Sequence, residues 1–132
     1  MNKIEVVAAI IFFENKILCV QRPNNKLSYI SEKFEFPGGK IEQDETQEEA
    51  LNRELLEELN LVTDIKTFFT TVIHEYPDFE LTMHTYICEV KTKDLTLKEH
   101  IAQEWLSLNE LNKLDWAAAD LPIVHELLKL EL

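Results

Sequence analysis

Gly38-Gly39-Lys40-Ile41-Glu42, followed at a short interval by Arg53-Glu54-Leu55-Leu56-Glu57-Glu58-Leu59-Asn60-Leu61, is the stretch whose reading decides the fold. It describes a glycine-bearing loop that feeds a helix dense in carboxylates. Thr46 and Glu49 have the S/T-x-x-E spacing of a capping box, so the helix is expected to begin there. Gln47 to Leu59 holds strong helix formers and no proline or glycine. Asn60 is the expected stop, because asparagine tolerates the left-handed conformation that ends many helices. At about 100° per residue, Glu54, Glu57 and Glu58 fall in one arc beside an apolar stripe of Leu51, Leu55 and Leu59. Arg53, four residues before Glu57, is placed to brace it.

Two carboxylates about 6 Å apart repel by roughly 0.7 kcal/mol in water and by about 3 kcal/mol at an effective dielectric near 20. A half-buried cluster of this kind therefore wants a cation, whereas a solvated one does not. Glutamate-rich helices are commonly just the wet faces of ordinary proteins. What distinguishes this one is the fixed approach to it, Phe36-Pro37-Gly38-Gly39 leading through Glu45.

Outward from that centre, 132 residues are expected to form one domain, 1–132, large enough for a core without staples. A net charge of −12 argues against a nucleic-acid polymer as partner, since polyanions need a basic footprint. It leaves room for a small anionic substrate neutralised locally by metal ions and a few cationic side chains. No stretch reads as a signal peptide or a membrane span. Cys19 and Cys88 lie in apolar, strand-like runs and are expected as buried free thiols in a reducing cytoplasm. His84 and Cys88 share a strand face without converging, so a soft-metal site there is disfavoured.

Ile4–Phe13 and Lys16–Arg22 read as strands around a Glu14-Asn15 turn. Pro23–Lys33 is polar and irregular, and Phe34–Phe36 is a short strand that Pro37-Gly38-Gly39 should end. Asp64–Tyr76 and Phe79–Lys91 read as strands around Pro77-Asp78, and Gln103–Leu108 as another. Ser107 and Glu110 suggest a second capping box, and Asp120 an N-cap for a last helix to about Leu130. Strands with two main helices on a mixed sheet make an α+β fold, arranged as an α/β/α sandwich.

From Gly39 onward the chain resembles the Nudix hydrolase family, whose signature is G-x5-E-x7-R-E-U-x-E-E-x-G-U with U apolar. Gly39, Glu45, Arg53, Glu54, Leu55, Glu57, Glu58 and Leu61 match, and Asn60 stands where the family has glycine. Ile4 to Ala9, Gln21-Arg22-Pro23 and Ala119-Asp120-Leu121-Pro122 look MutT-like, in the manner of the 8-oxo-dGTP diphosphatase and CTP pyrophosphohydrolase branches. The resemblance implies the sandwich fold with its mixed β-sheet. It also implies hydrolysis of nucleoside triphosphates to the monophosphate and pyrophosphate, by water attack at the β-phosphorus. Other possible substrates are a nucleoside diphosphate sugar or a dinucleoside polyphosphate. A non-catalytic nucleotide-binding Nudix module, or an unrelated acidic interaction protein, are the readings from other classes.

Clustered glutamates offer oxygen ligands, which suit Mg²⁺, with Mn²⁺ as substitute, rather than zinc. Glu54, Glu57 and Glu58 are the candidate ligands. By resemblance the Gly38 carbonyl and a later acid complete the set, with Glu99 chosen and Glu104 the alternative. Glu54, Glu57 and Glu99 are all candidates for general base. Arg53 is expected to orient Glu57 and the loop, and Lys40 and Arg22 to meet phosphates. The resemblance puts Arg22, Glu35, Phe36 and Asp120 near the nucleoside, with Pro37 and Gly38 in the substrate-facing turn. Asp120 stands where the bacterial 8-oxo-dGTP enzyme has asparagine. Ionised, it would only accept hydrogen bonds and so favour bases presenting N–H groups. The protein is expected to act on small molecules as a monomer or homodimer.

Overall fold

Strand β1, Asn2–Phe13, is the axis on which the other elements are hung. A computed structural model describes residues 1–130. After β1 come β2 (Lys16–Gln21), β3 (Phe34–Glu35), β4 (Gly38–Lys40), α1 (Gln47–Leu59), β5 (Asp64–Glu75), β6 (Phe79–Glu89) and β7 (Ala102–Leu106). Two 3₁₀ turns, Leu108–Lys113 and Ala118–Asp120, lead into α2 (Leu121–Leu128). The main sheet runs β3-β2-β1-β6-β5, with β4 on β1 and β7 on β2. β1 and β6 are parallel, while the other strand pairings are antiparallel.

The period of two in β1 builds both cores. Val7, Ala9 and Ile11 point to the α1 side, where Ala50, Leu51, Leu55 and Leu59 cover them. Ala8 and Ile10 point the other way, beneath Ile123, Val124 and Leu127 of α2. Burial on both faces explains why β1 reads as a continuous apolar run rather than an alternation. This is the α/β/α sandwich. Cys19 and Cys88 are buried free thiols in opposite cores. Among the described residues no helix is long and apolar enough to cross a membrane.

The sheet is opened where the site will lie. β1 and β2 pair beside their turn, at Phe12–Ile17 and Phe13–Lys16, with Glu14 in the left-handed region at φ 55°. Beyond it β3 takes the edge of β2 at Val20–Glu35, and β4 takes the edge of β1 at Val6–Lys40 and Ala8–Gly38. β3 thus ends before Pro37, as expected; the addition is that the chain crosses from β2 to β1 and Gly38–Lys40 begins a new strand, β4. Pro37 is tolerated because the ladder asks only for its carbonyl, which accepts from Ala9 N at 2.8 Å. Neither glycine has a positive φ. Glycine is required by proximity: a Cβ on Gly38 would lie 1.9 Å from the Val7 carbonyl oxygen.

The ends of α1 follow the sequence. Thr46 Oγ1 accepts from Glu49 N at 3.1 Å, and Glu49 Oε1 accepts from Thr46 N at 2.9 Å. Asn60 is left-handed, at φ 52° and ψ 42°. Asn60→Gly should therefore melt close to the parent, whereas Asn60→Ala should cost about 1 kcal/mol in thermal denaturation. The end of the chain departs from expectation. Asp120 does not cap α2, because its backbone is already helical and its carboxylate makes no capping bond. Its Oδ1 instead accepts from Phe36 N at 3.1 Å. α2 stops at Leu128 rather than Leu130. The Ser107–Glu110 box exists but opens a 3₁₀ turn.

Candidate active site

The opening between β1 and β2 leads into a cleft of about 890 Å³. The α1 side contributes Glu54, Glu57, Glu58 and Glu99, with Gly38, Gly39, Lys40 and Glu42 at the β4 edge. The α2 side is mostly apolar, with Val6, Ala8, Ile30, Phe36, Tyr76, Phe79, Leu81 and Met83 around the carboxyl group of Asp120. Arg22, Glu35 and His100 complete the wall. Of the residues picked from sequence, Arg53, Pro37 and the alternative Glu104 do not line the cleft.

Arg53 works from behind the wall. Its Nε and Nη2 donate to both oxygens of Glu45, at 2.6 and 2.9 Å, and Nη2 also donates to the Lys40 carbonyl at 2.9 Å. Nη1 donates to Glu54 at 2.9 Å and to Glu57 at 3.2 Å. One planar fork thus ties the loop before α1 to two of its glutamates, and the guanidinium bonds hold the Glu45 carboxyl below its ordinary range. Lysine cannot reproduce that fork. Arg53→Lys should lower kcat/KM about 30-fold, the equivalent of ~2 kcal/mol, in steady-state kinetics.

Glu54 is also fixed from the front, since a Cβ on Gly39 would fall 2.3 Å from its carboxyl group. Its side chain is 13 % exposed and that of Glu57 is 59 % exposed. Gly39→Ala should spare the fold, because a side chain can swing away, yet cut kcat roughly 100-fold by displacing Glu54. Fluorescence melting alongside an activity assay separates the two effects.

Glu58 shows the electrostatic state of the cluster. Burial, with Glu54, Glu99 and Glu35 nearby, pushes its carboxyl up to about 9. Among the described residues no three acidic, histidine or cysteine side chains are drawn into a ready-made cage. Glu57 leans to Arg53 at 3.2 Å, and burial beside its carboxylate neighbours pushes Glu58 toward its neutral form. The donor set is nonetheless all oxygen, which fits a hard divalent ion.

Asp120 is buried, and desolvation first, then Glu35, raises its carboxyl well above the usual range against the opposing Phe36 N–H and Arg22. The carboxyl accepts from Phe36 N, and its burial favours the neutral form, which unlike the ionised one can also donate. Arg22 Nη1 donates to Glu35 Oε1 at 3.1 Å, and His100 Nε2 lies 2.9 Å from Glu35 Oε2. Arg22 Nε and His100 Nδ1 are buried without a partner among the described residues.

His100 and Tyr76 were missed by the sequence reading. Tyr76 Oη accepts from Ala119 N at 2.9 Å, bracing the turn that carries Asp120, and its ring stacks on Tyr29 at 5.2 Å. The one available signal was position: Tyr76 ends a strand at Pro77-Asp78, and His100 adjoins Glu99.

The NUDIX domain family model matches residues 3–127. The chain belongs to the Nudix family. Within it the chain is MutT-like. It is 34 % identical over 130 residues to an 8-oxo-dGTP diphosphatase of Escherichia coli K12, covering 98 % of this chain and 100 % of that protein. It is 36 % identical over 130 residues to a CTP pyrophosphohydrolase of the same organism, covering 98 % and 95 %. A solution structure of the Nudix hydrolase MutT from methicillin-resistant Staphylococcus aureus 252 superposes with a TM-score of 0.73 at 43 % identity, covering 96 % of this chain and 97 % of that one. Nudix hydrolases generally use a divalent metal.

Proposed function

We propose that residues 1–132 form a single Nudix domain hydrolysing nucleoside triphosphates to the monophosphate and pyrophosphate with Mg²⁺. The observation that carries this is the two-sided cleft, acidic at α1 and apolar toward α2. A base needs the apolar side, and a triphosphate needs cations at the acidic one. Carboxyl side chains on the wall (Glu35, Glu42, Glu54, Glu57, Glu58, Glu99, Asp120) outnumber the cationic Arg22 and Lys40. Arg22 is already committed to Glu35, while the Lys40 ammonium forms no ion pair among the described residues. A polyanion would be repelled without divalent ions.

Glu54, Glu57, Glu58 and Glu99, with the Gly38 carbonyl, are the residues that would hold Mg²⁺, or Mn²⁺ in its place. When bound, the metal would neutralise charge on the phosphoryl oxygens and lower the pKa of its water. Glu54, Glu57 and Glu99 remain the candidates to take the attacking water's proton. Arg53 orients Glu54 and Glu57 without touching substrate. Lys40 and Arg22 meet phosphates, and Phe36 and Asp120 meet the base, with Glu35, Pro37 and Gly38 shaping the wall. The charge of −12 and the reduced, buried thiols support a cytoplasmic enzyme of small molecules, monomeric or homodimeric, with neither a nucleic-acid polymer nor a membrane as partner.

The test is a panel of canonical and oxidised nucleotides compared by kcat/KM, the ratio that measures discrimination. A nucleoside triphosphate should top the panel. A nucleoside diphosphate sugar ahead of every triphosphate by about tenfold would overturn the substrate class while leaving the family intact.

A further inference from the structure

Residues 96–101 are strapped between two elements. Thr96 N and Lys98 N donate to the carbonyls of Leu59 and Glu58 at the end of α1, at 2.9 and 3.1 Å, and Ile101 N donates to Gln21 O at 2.9 Å. The strap drives the His100 side chain inward until it is 3 % exposed. There Nε2 meets Glu35 Oε2 at 2.9 Å, while the other oxygen of Glu35 receives Arg22 at 3.1 Å. The backbone of Glu35 is held in β3 against Val20 of β2, and its carboxylate is held by these two side chains.

A histidine is a poor choice for filling this space. Its Nδ1 is buried and unpartnered among the described residues, and so is Nε of Arg22 on the other side of Glu35. Leucine would fill the same volume without that penalty. The residue instead adds a directed contact to the carboxylate. We propose that His100 is a positioning residue, whose Nε2 holds the Glu35–Arg22 pair so that Arg22 presents one orientation to the substrate in the cleft. The proposal rests on the nucleotide-hydrolase reading for its kinetic consequence, and on Glu35 alone for its structural one.

Leucine and glutamine separate packing from hydrogen bonding, since glutamine keeps an N–H near the position of Nε2. With CTP or dGTP, whichever turns over faster, His100→Leu should lower kcat/KM about 20-fold, chiefly through KM, and His100→Gln should stay within about threefold of the parent. If His100 acts through Glu35, adding His100→Leu to Glu35→Ala should change kcat/KM by less than about twofold. Equal activity of the leucine and parent proteins, equal impairment of the leucine and glutamine variants, or an undiminished leucine effect beside Glu35→Ala would each overturn the proposal. An NMR measurement stands apart from turnover. The His100 Nε2–H proton should give a slowly exchanging signal in the parent that Glu35→Ala abolishes. Absence of that signal from the parent overturns the proposal, whereas a parent that hydrolyses no triphosphate while showing it overturns only the functional reading.

Discussion

Glu57→Gln should fold and melt like the parent yet lose about 10³-fold or more in kcat, with little gain from raising the substrate concentration. The side chain is more than half exposed and its main partner is Arg53 at 3.2 Å, so a neutral group of equal size removes charge without opening a cavity. Charge is what the reaction needs from it. A glutamine oxygen is a weaker ligand for a hard divalent ion and cannot accept a proton from water. Steady-state kinetics with added Mg²⁺, beside a thermal melt, checks both halves. Retained activity would remove Glu57 from the proposed catalytic set.

Gly38→Ala should produce the largest loss of stability, about 3 kcal/mol or more, lowering Tm by roughly 10 °C. Its new Cβ would meet the Val7 carbonyl oxygen at 1.9 Å and the Ala8 Cα at 2.7 Å, backbone atoms in the central strand that cannot swing aside. The neighbouring Gly39→Ala meets only the far end of Glu54, and so should injure catalysis and spare the fold. A pair of adjacent glycines would then divide cleanly into one that permits the sheet and one that permits the site.

Much of this architecture is legible in the residues, because local physics and global packing agree. Thr46, Glu49 and Asn60 bound α1 through bonds within a few positions of themselves, and the stripe Leu51–Leu55–Leu59 dictates the buried face. The burial of β1 on both faces follows from its continuous apolar run and two covering helices. Non-local pairing is what escaped. Phe36-Pro37-Gly38-Gly39 rightly reads as the end of β3, but nothing nearby shows that β1 and β2 part and leave an edge for a new strand, β4. Asp120 reads as a helix cap because its true partner, Phe36 N, is distant in sequence. His100 was invisible for the same reason: its meaning lies in Glu35, on β3 and 65 positions away in the chain. Arg53 is expected to orient Glu57 and the loop, but which loop atoms it takes, the Glu45 carboxylate and the Lys40 carbonyl, depends on the loop's folded path.

The most direct test of the whole account is turnover of a nucleoside triphosphate in ¹⁸O-water with Mg²⁺, followed by mass analysis of the products. The account expects nucleoside monophosphate and pyrophosphate, with the label in the pyrophosphate, and no turnover once a chelator is added. Nucleoside diphosphate with labelled orthophosphate, or undiminished turnover in the chelator, would contradict it.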